Sequence, residues 1–156
     1  MIVSNASPLI VLLKVSKLSI LKELFKRVLL PTAVYEEITA KEYEKSIFNK
    51  LEWIKVTSVK NLEIAAFLEK LVDKGEAEAI MLAKELKTTL LMDDAKARKY
   101  AKLLSVEVIG TLGVLKMAKN HGLISSVKNV IKDLLDEGYY IEDELIKTIL
   151  QDAGEL

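Results

Sequence analysis

The sequence predicts an α/β domain: a parallel sheet covered by helices on both faces. Three observations predict it. Short apolar runs alternate with helical stretches from the first residue to about position 120. That order builds a parallel sheet with helical crossovers. Of 156 residues, 51% are hydrophobic and 29% charged, a mixture that buries a core rather than staying disordered. No Ser/Gly-rich linker, low-complexity run or internal repeat divides the chain, so one domain is expected.

The elements follow in order. Ile2-Val3-Ser4 reads as a buried strand, and Ser7-Pro8 as a helix entry leading into Leu9 to Val15. Leu18 to Phe25 is a second helix, with Leu18, Leu21 and Phe25 on one face. Val28-Leu29-Leu30 is a strand stopped by Pro31, and Thr32 caps a helix carrying Val34, Tyr35 and Ile38. Lys41 to Lys50 is polar and helical. Trp53 to Val59 has strand composition. Asn61 caps Leu62 to Val72, whose Ile64, Phe67, Leu68 and Leu71 form an apolar stripe. Gly75 to Leu86 is the clearest helix. Thr88 to Met92 is a strand ending at Asp93-Asp94, and Ala95 to Leu104 a helix with Ala97, Ala101 and Leu104 inward. Val106 to Ile109 is a strand; Thr111 to Asn120 is a helix closed by His121-Gly122. Ser126 to Asp136 and Ile141 to Asp152 are two more helices, appended to the α/β core.

Composition excludes several functions. There is no cysteine, so disulfides, thiol nucleophiles and Cys-based zinc sites are absent. His121 is the sole histidine, which leaves no material for a His-rich metal site. Lys plus Arg and Asp plus Glu are 23 each, so nucleic-acid binding would need a local patch. The longest aliphatic run, Leu9 to Leu13, is far too short to span a membrane. The start lacks the basic and long apolar stretches of a secretion signal. A cytoplasmic protein is therefore expected. Richness in Lys, Glu, Ile and Leu is compatible with a thermophile.

In parallel sheets, ligands bind beyond the carboxyl ends of the strands. Asn5 follows the first strand there. Glu36 and Glu37 lie a helical turn beyond the second, and Asp93 and Asp94 follow the strand at Thr88 to Met92. The helix before that strand carries Glu76 and Glu78. Clustered carboxylates repel one another and are rarely gathered without a cation. Oxygen donors suit Mg²⁺ or Mn²⁺, and such metals support phosphodiester cleavage. Each residue also has a plainer role. Asp73-Lys74-Gly75-Glu76 reads as a capping box. Glu78 lies about 200° around the helix from Glu76, so the two cannot point the same way. Either aspartate can cap the following helix. Lys96, Arg98, Lys99 and Lys102 lie outside that helix's apolar stripe and can contact phosphates or simply face solvent. Gly110-Thr111-Leu112-Gly113 opens a helix but lacks dinucleotide or Walker spacing. His121 before Gly122 reads as a helix end.

Val3-Ser4-Asn5-Ala6-Ser7-Pro8-Leu9-Ile10, Leu30 to Ile38, Gly75-Glu76-Ala77-Glu78-Ala79-Ile80, Leu91 to Arg98 and Val108 to Gly113 stand in order along the chain. Together they resemble PIN-domain proteins, in an uncharacterised prokaryotic branch related to VapC-type toxins. The resemblance implies a three-layer α/β/α fold over residues 1–125, with residues 126–156 as helices packed on or extending the same domain. It implies a Mg²⁺- or Mn²⁺-dependent ribonuclease acting on single-stranded RNA. Members of the family are often toxins held by an antitoxin protein, and they commonly form homodimers; the resemblance extends both expectations to this chain. The family's acids fall on Asn5, Glu37, Glu78 and Asp94, with Asp93 beside the last. Asn5 departs from the family's aspartate. Its amide oxygen can bind a metal but brings no charge and cannot act as a base, so metal affinity should fall.

Two other functions compete. One is a non-catalytic PIN-like module that binds RNA or a protein partner, with the face of Ile141, Leu145, Ile149 and Leu150 available for contact. The other is a nucleotide-binding protein resting on Gly110 to Gly113 alone.

Overall fold

The structure is a computed structural model describing residues 1–156. Five strands form one sheet: β1 (Ile2–Ser4), β2 (Val28–Leu30), β3 (Ile54–Val56), β4 (Leu90–Leu91) and β5 (Val108–Ile109). The spatial order is β3-β2-β1-β4-β5 and every pairing is parallel. Val3 pairs with Leu29 on one side and Leu90 on the other. The central strands are buried on both faces, so they read as unbroken apolar runs rather than as alternating ones. The edge strands β3 and β5 are only partly covered.

Helices cover both faces and complete a three-layer α/β/α fold. They are α1 (Ala6–Lys14), α2 (Ser19–Phe25), α3 (Thr32–Ile38), α4 (Glu42–Phe48), α5 (Leu62–Leu68), α6 (Lys74–Leu86), α7 (Ala95–Leu103), α8 (Thr111–Asn120), α9 (Val127–Asp136) and α10 (Asp143–Asp152). α6 packs on β1, α3 and α5, and α2 packs on α8. α6 is the best specified. Its Asp73 carboxylate accepts from Glu76 N–H at 2.8 Å, and Glu76 accepts in return from Asp73 N–H at 3.1 Å.

Several boundaries differ from the sequence reading. α1 starts at Ala6, with Asn5 in the capping position, rather than at Ser7-Pro8. Pro8 is the third helical residue, where its missing N–H costs no helical bond. The strands expected over Thr88 to Met92 and Trp53 to Val59 shrink to Leu90–Leu91 and Ile54–Val56. α5 ends at Leu68, and it buries Ala65 and Leu68 while Ile64 and Phe67 are 41% and 61% exposed. It lies against α6 and presents its other side outward, so half of the expected stripe meets solvent.

The C-terminal helices pack on α8 and on each other. Gly154, at φ +71°, turns the chain back after α10. Glu155 N–H then bonds Leu150 O and Gly154 N–H bonds Gln151 O, a Schellman closure. The turn delivers the Glu155 carboxylate to the start of α9. There it accepts from Val127 N–H (2.8 Å), Lys128 N–H (3.0 Å), Ser126 Oγ (2.9 Å) and Lys119 Nζ (2.9 Å). This anion at a helix N-terminus locks the appendage to α8.

A candidate active site at the carboxyl edge of the sheet

The sheet order reverses between β1 and β4, so the chain leaves those two neighbours in opposite directions. In such sheets the region outside the carboxyl ends of these two strands is where ligands bind. Asn5 leaves β1 there, and Met92, Asp93 and Asp94 leave β4. Crossover helices run antiparallel to the strands, so the first turn of α6 reaches the same edge. The buried polar residues Ser4, Asn5, Glu76 and Thr111 gather along it.

Asn5 is 7% exposed. Its Nδ2 donates a weak bond to Met92 Sδ at 3.5 Å. Asp94 caps α7, its Oδ1 accepting from Ala97 N–H at 2.8 Å. Glu76 is 9% exposed and its carboxyl is pushed up to about 7. Burial is the main cause; the Asp73 N–H bond opposes it, and the charges of Asp73 and Asp94 add to it. Glu37 reaches across from α3. Burial and then Asp73 raise its pKa. Gly75 makes room for it: a Cβ there would lie 3.2 Å from Glu37 Oε1. Glu37, Asp73, Glu76 and Asp94 thus form one electrostatically coupled group. No lysine or arginine forms an ion pair with any of them.

The other candidates divide. Glu78 points to the start of α3, where its Oε1 accepts from Ala33 N–H at 3.0 Å. Glu36 is exposed. Asp93 turns away from Asp94, toward the other side of β4. It accepts from Thr111 N–H at 2.7 Å and from Thr111 Oγ1 at 2.6 Å. It also faces the Tyr139 hydroxyl, whose pKa is raised, first by burial and then by this neighbour. The Asp93 carboxylate thus occupies the start of α8, where a phosphate cradled by Gly110 to Gly113 would have to sit. Arg98 is half-buried and its Nη1 donates to Met92 O at 3.1 Å. Lys96, Lys99 and Lys102 are exposed. His121 occupies the C-cap of α8, its Nδ1 2.8 Å from Met117 O, as a helix end requires.

Sequence reasoning took Asp73 only as a cap and missed its charge beside Glu37 and Glu76. Tyr139 was missed too, because it comes from the appended segment and nothing local marks it. As donors, these residues fit a hard divalent cation. They are all oxygens, like-charged, and desolvated enough to raise two carboxyls. Asp73, Glu76 and Asp94 each spend one oxygen on a backbone N–H and keep the second. As the side chains stand, no three acidic or histidine residues lie close enough together to hold an ion, so a cation would have to draw them in.

No helix is long and apolar enough to cross a membrane. No curated protein and no solved structure gives a significant match to the chain. A family model described as a PIN domain matches residues 1–155, nearly the whole chain. That match spans the parallel sheet, the acidic edge and the C-terminal helices alike, and the chain therefore belongs to the PIN-domain family.

Proposed function

We propose that the protein is a metal-dependent endoribonuclease acting on single-stranded RNA. The observation that carries the reading is the unpaired carboxylate group Glu37, Asp73, Glu76 and Asp94 beside Asn5, at the switch point of a nuclease-type fold. Glu37, Glu76 and Asp94 would hold Mg²⁺ or Mn²⁺, with the Asn5 amide oxygen as a neutral fourth donor. When bound, the cation supplies an activated water and neutralises charge developing on the phosphodiester.

The chain's own residues do the rest. Burial and the charges of Asp73 and Asp94 raise the pKa of Glu76, and a bound cation would favour its ionised form. Asp94 is fixed in place by capping α7. Glu78 holds the α3 start, and so positions Glu37 at the far end of the same short helix. Lys96, Lys99 and Lys102 face solvent without ion-pair partners, and together with Arg98 they can contact RNA phosphates. Restraint by an antitoxin protein and assembly as a homodimer belong to the same proposal.

Asn5 favours a second reading, a binder that has lost catalysis. One experiment separates the two: incubation of labelled single-stranded RNA with Mn²⁺ and wild type, Asp94→Asn or Asn5→Asp protein. Cleavage by wild type but not by Asp94→Asn supports the nuclease. Cleavage by Asn5→Asp alone supports the binder with a site lacking one charge. Absence of cleavage in all three overturns the catalytic reading.

A further inference from the structure

A cleft of about 1060 Å³ lies on the other side of β4 from the carboxylate group, between α7, β5 and α10. We propose that it is a subsite for one nucleotide of single-stranded RNA, its base stacked on Tyr140 and its phosphate held by Lys99 and Lys102. The inference rests on the nuclease reading and extends it to how substrate is gripped.

The volume matches that of small-molecule sites and accommodates a nucleotide with its neighbouring phosphate. α7 supplies one wall, with Arg98, Lys99 and Lys102. None of the three is neutralised by a carboxylate ion pair. The opposite wall is the segment joining α9 to α10. It presents Tyr140, 82% exposed, an aromatic face with no protein packed on it. The floor between them is apolar, including Ile109, Leu112 and Ile149. Aromatic face, apolar floor and free cations are the composition that binds single-stranded nucleic acid, the ring taking the base and the cations the backbone. The cleft's acids are Asp93 and Glu142. Against these two stand three cations, Arg98, Lys99 and Lys102, which leave the lining with a net charge of +1. Asp93 lines the cleft while Asp94 caps α7 on the other side of β4, so a strand seated in the cleft has to pass over the end of β4 to reach the carboxylates. An apolar protein segment would leave the α7 cations buried and unpaired, which disfavours that occupant.

The test is binding of fluorescein-labelled oligouridine, followed by anisotropy in EDTA, to the full chain and its variants. Tyr140 is exposed, so replacing it leaves the fold intact. Tyr140→Ala should raise Kd about tenfold, the order of one base–aromatic stack, while Tyr140→Phe keeps wild-type affinity. Lys102→Ala should flatten the salt dependence by about one phosphate contact. An RNA carrying 5-iodouridine should photocrosslink to the segment around Tyr140. The inference is overturned if Tyr140→Ala binds as tightly as wild type, or if Tyr140→Phe loses as much as Tyr140→Ala. If this happens while wild type still cuts RNA with Mn²⁺, only the cleft assignment falls. A wild type that neither binds nor cuts RNA removes both.

Discussion

Replacing Glu155 by glutamine tests how the C-terminal appendage is held. The wild-type carboxylate, 13% exposed, accepts hydrogen bonds from two α9 backbone N–H groups, the Ser126 hydroxyl and the Lys119 ammonium. These partners, led by Lys119, lower its pKa from 4.5 to about 2. Full conversion of that shift gives roughly 3 kcal/mol; solvent screening at this surface site brings it to about 2 kcal/mol. A hydrogen-bonded charge lost from a helix N-terminus leads to a similar figure, about 1.5–3 kcal/mol. The amide that replaces the carboxylate keeps one acceptor oxygen but turns its NH₂ toward donors. The expected fall in Tm is about 4–8 °C for a chain of this size. The pH dependence identifies the cause. A depressed folded-state pKa stabilises above the unfolded value and is lost as pH falls. The difference between wild type and Glu155→Gln should therefore be constant from about pH 6 to 8. It should shrink as pH falls from about 4.5 toward 2. Urea unfolding across that range measures it, with hydrogen exchange at Val127 and Lys128 as the local readout. A difference below about 0.5 kcal/mol, or one that does not change with pH, would refute the reasoning.

The remaining predictions concern the carboxyl edge. Because burial and like charges raise Glu76 to about 7, its contribution is present at low pH and lost as pH rises from 4.5 through 7. Glu76→Gln preserves the capping box and should remove that slope in a thermal scan. Mn²⁺ should raise the Tm of wild type at about pH 8, and raise it more for Asn5→Asp, which restores a fourth charge. Gly110→Ala places a methyl 2.7 Å from Arg98 Nη1 and 2.9 Å from Asp93 Oδ1. It should cost about 1–3 kcal/mol, and Arg98→Ala in the same chain should recover part of that, as a double-mutant cycle would read. Thr111→Val removes the Thr111 hydroxyl from Asp93 and should cost about 1–2 kcal/mol in urea unfolding.

Much of this architecture was legible locally. Val28-Leu29-Leu30 and Leu90-Leu91 are apolar without alternation, the mark of strands buried on both faces. Asp73 and Glu76 announce the start of α6 by spacing alone, and the structure closes their reciprocal bonds. Asn5 and the Asp93-Asp94 pair could be placed at the carboxyl edge because each directly follows a strand. The division of labour within each acidic pair was not legible. Asp93 and Asp94 differ by one residue yet serve opposite sides of β4, one held by Thr111 and the other by α7. Glu76 and Glu78 differ by two, and only Glu76 is coupled to Asp94.

The sequence by itself determined the elements, their order and therefore the parallel sheet, because capping, apolar runs and crossovers are short-range physics. It also determined the chemistry on offer: oxygen donors, no thiols, and a neutral amide where a charge is usual. Only the tertiary structure decided which donors share a volume. The switch from β1 to β4 sets Asn5 and Asp94 on neighbouring strand ends, α3 carries Glu37 to Asp73 across the start of α6, and Gly154 sends Glu155 back to α9. These are contacts between residues tens of positions apart. They depend on how whole elements pack and on what burial does to a charge, and no local pattern encodes either.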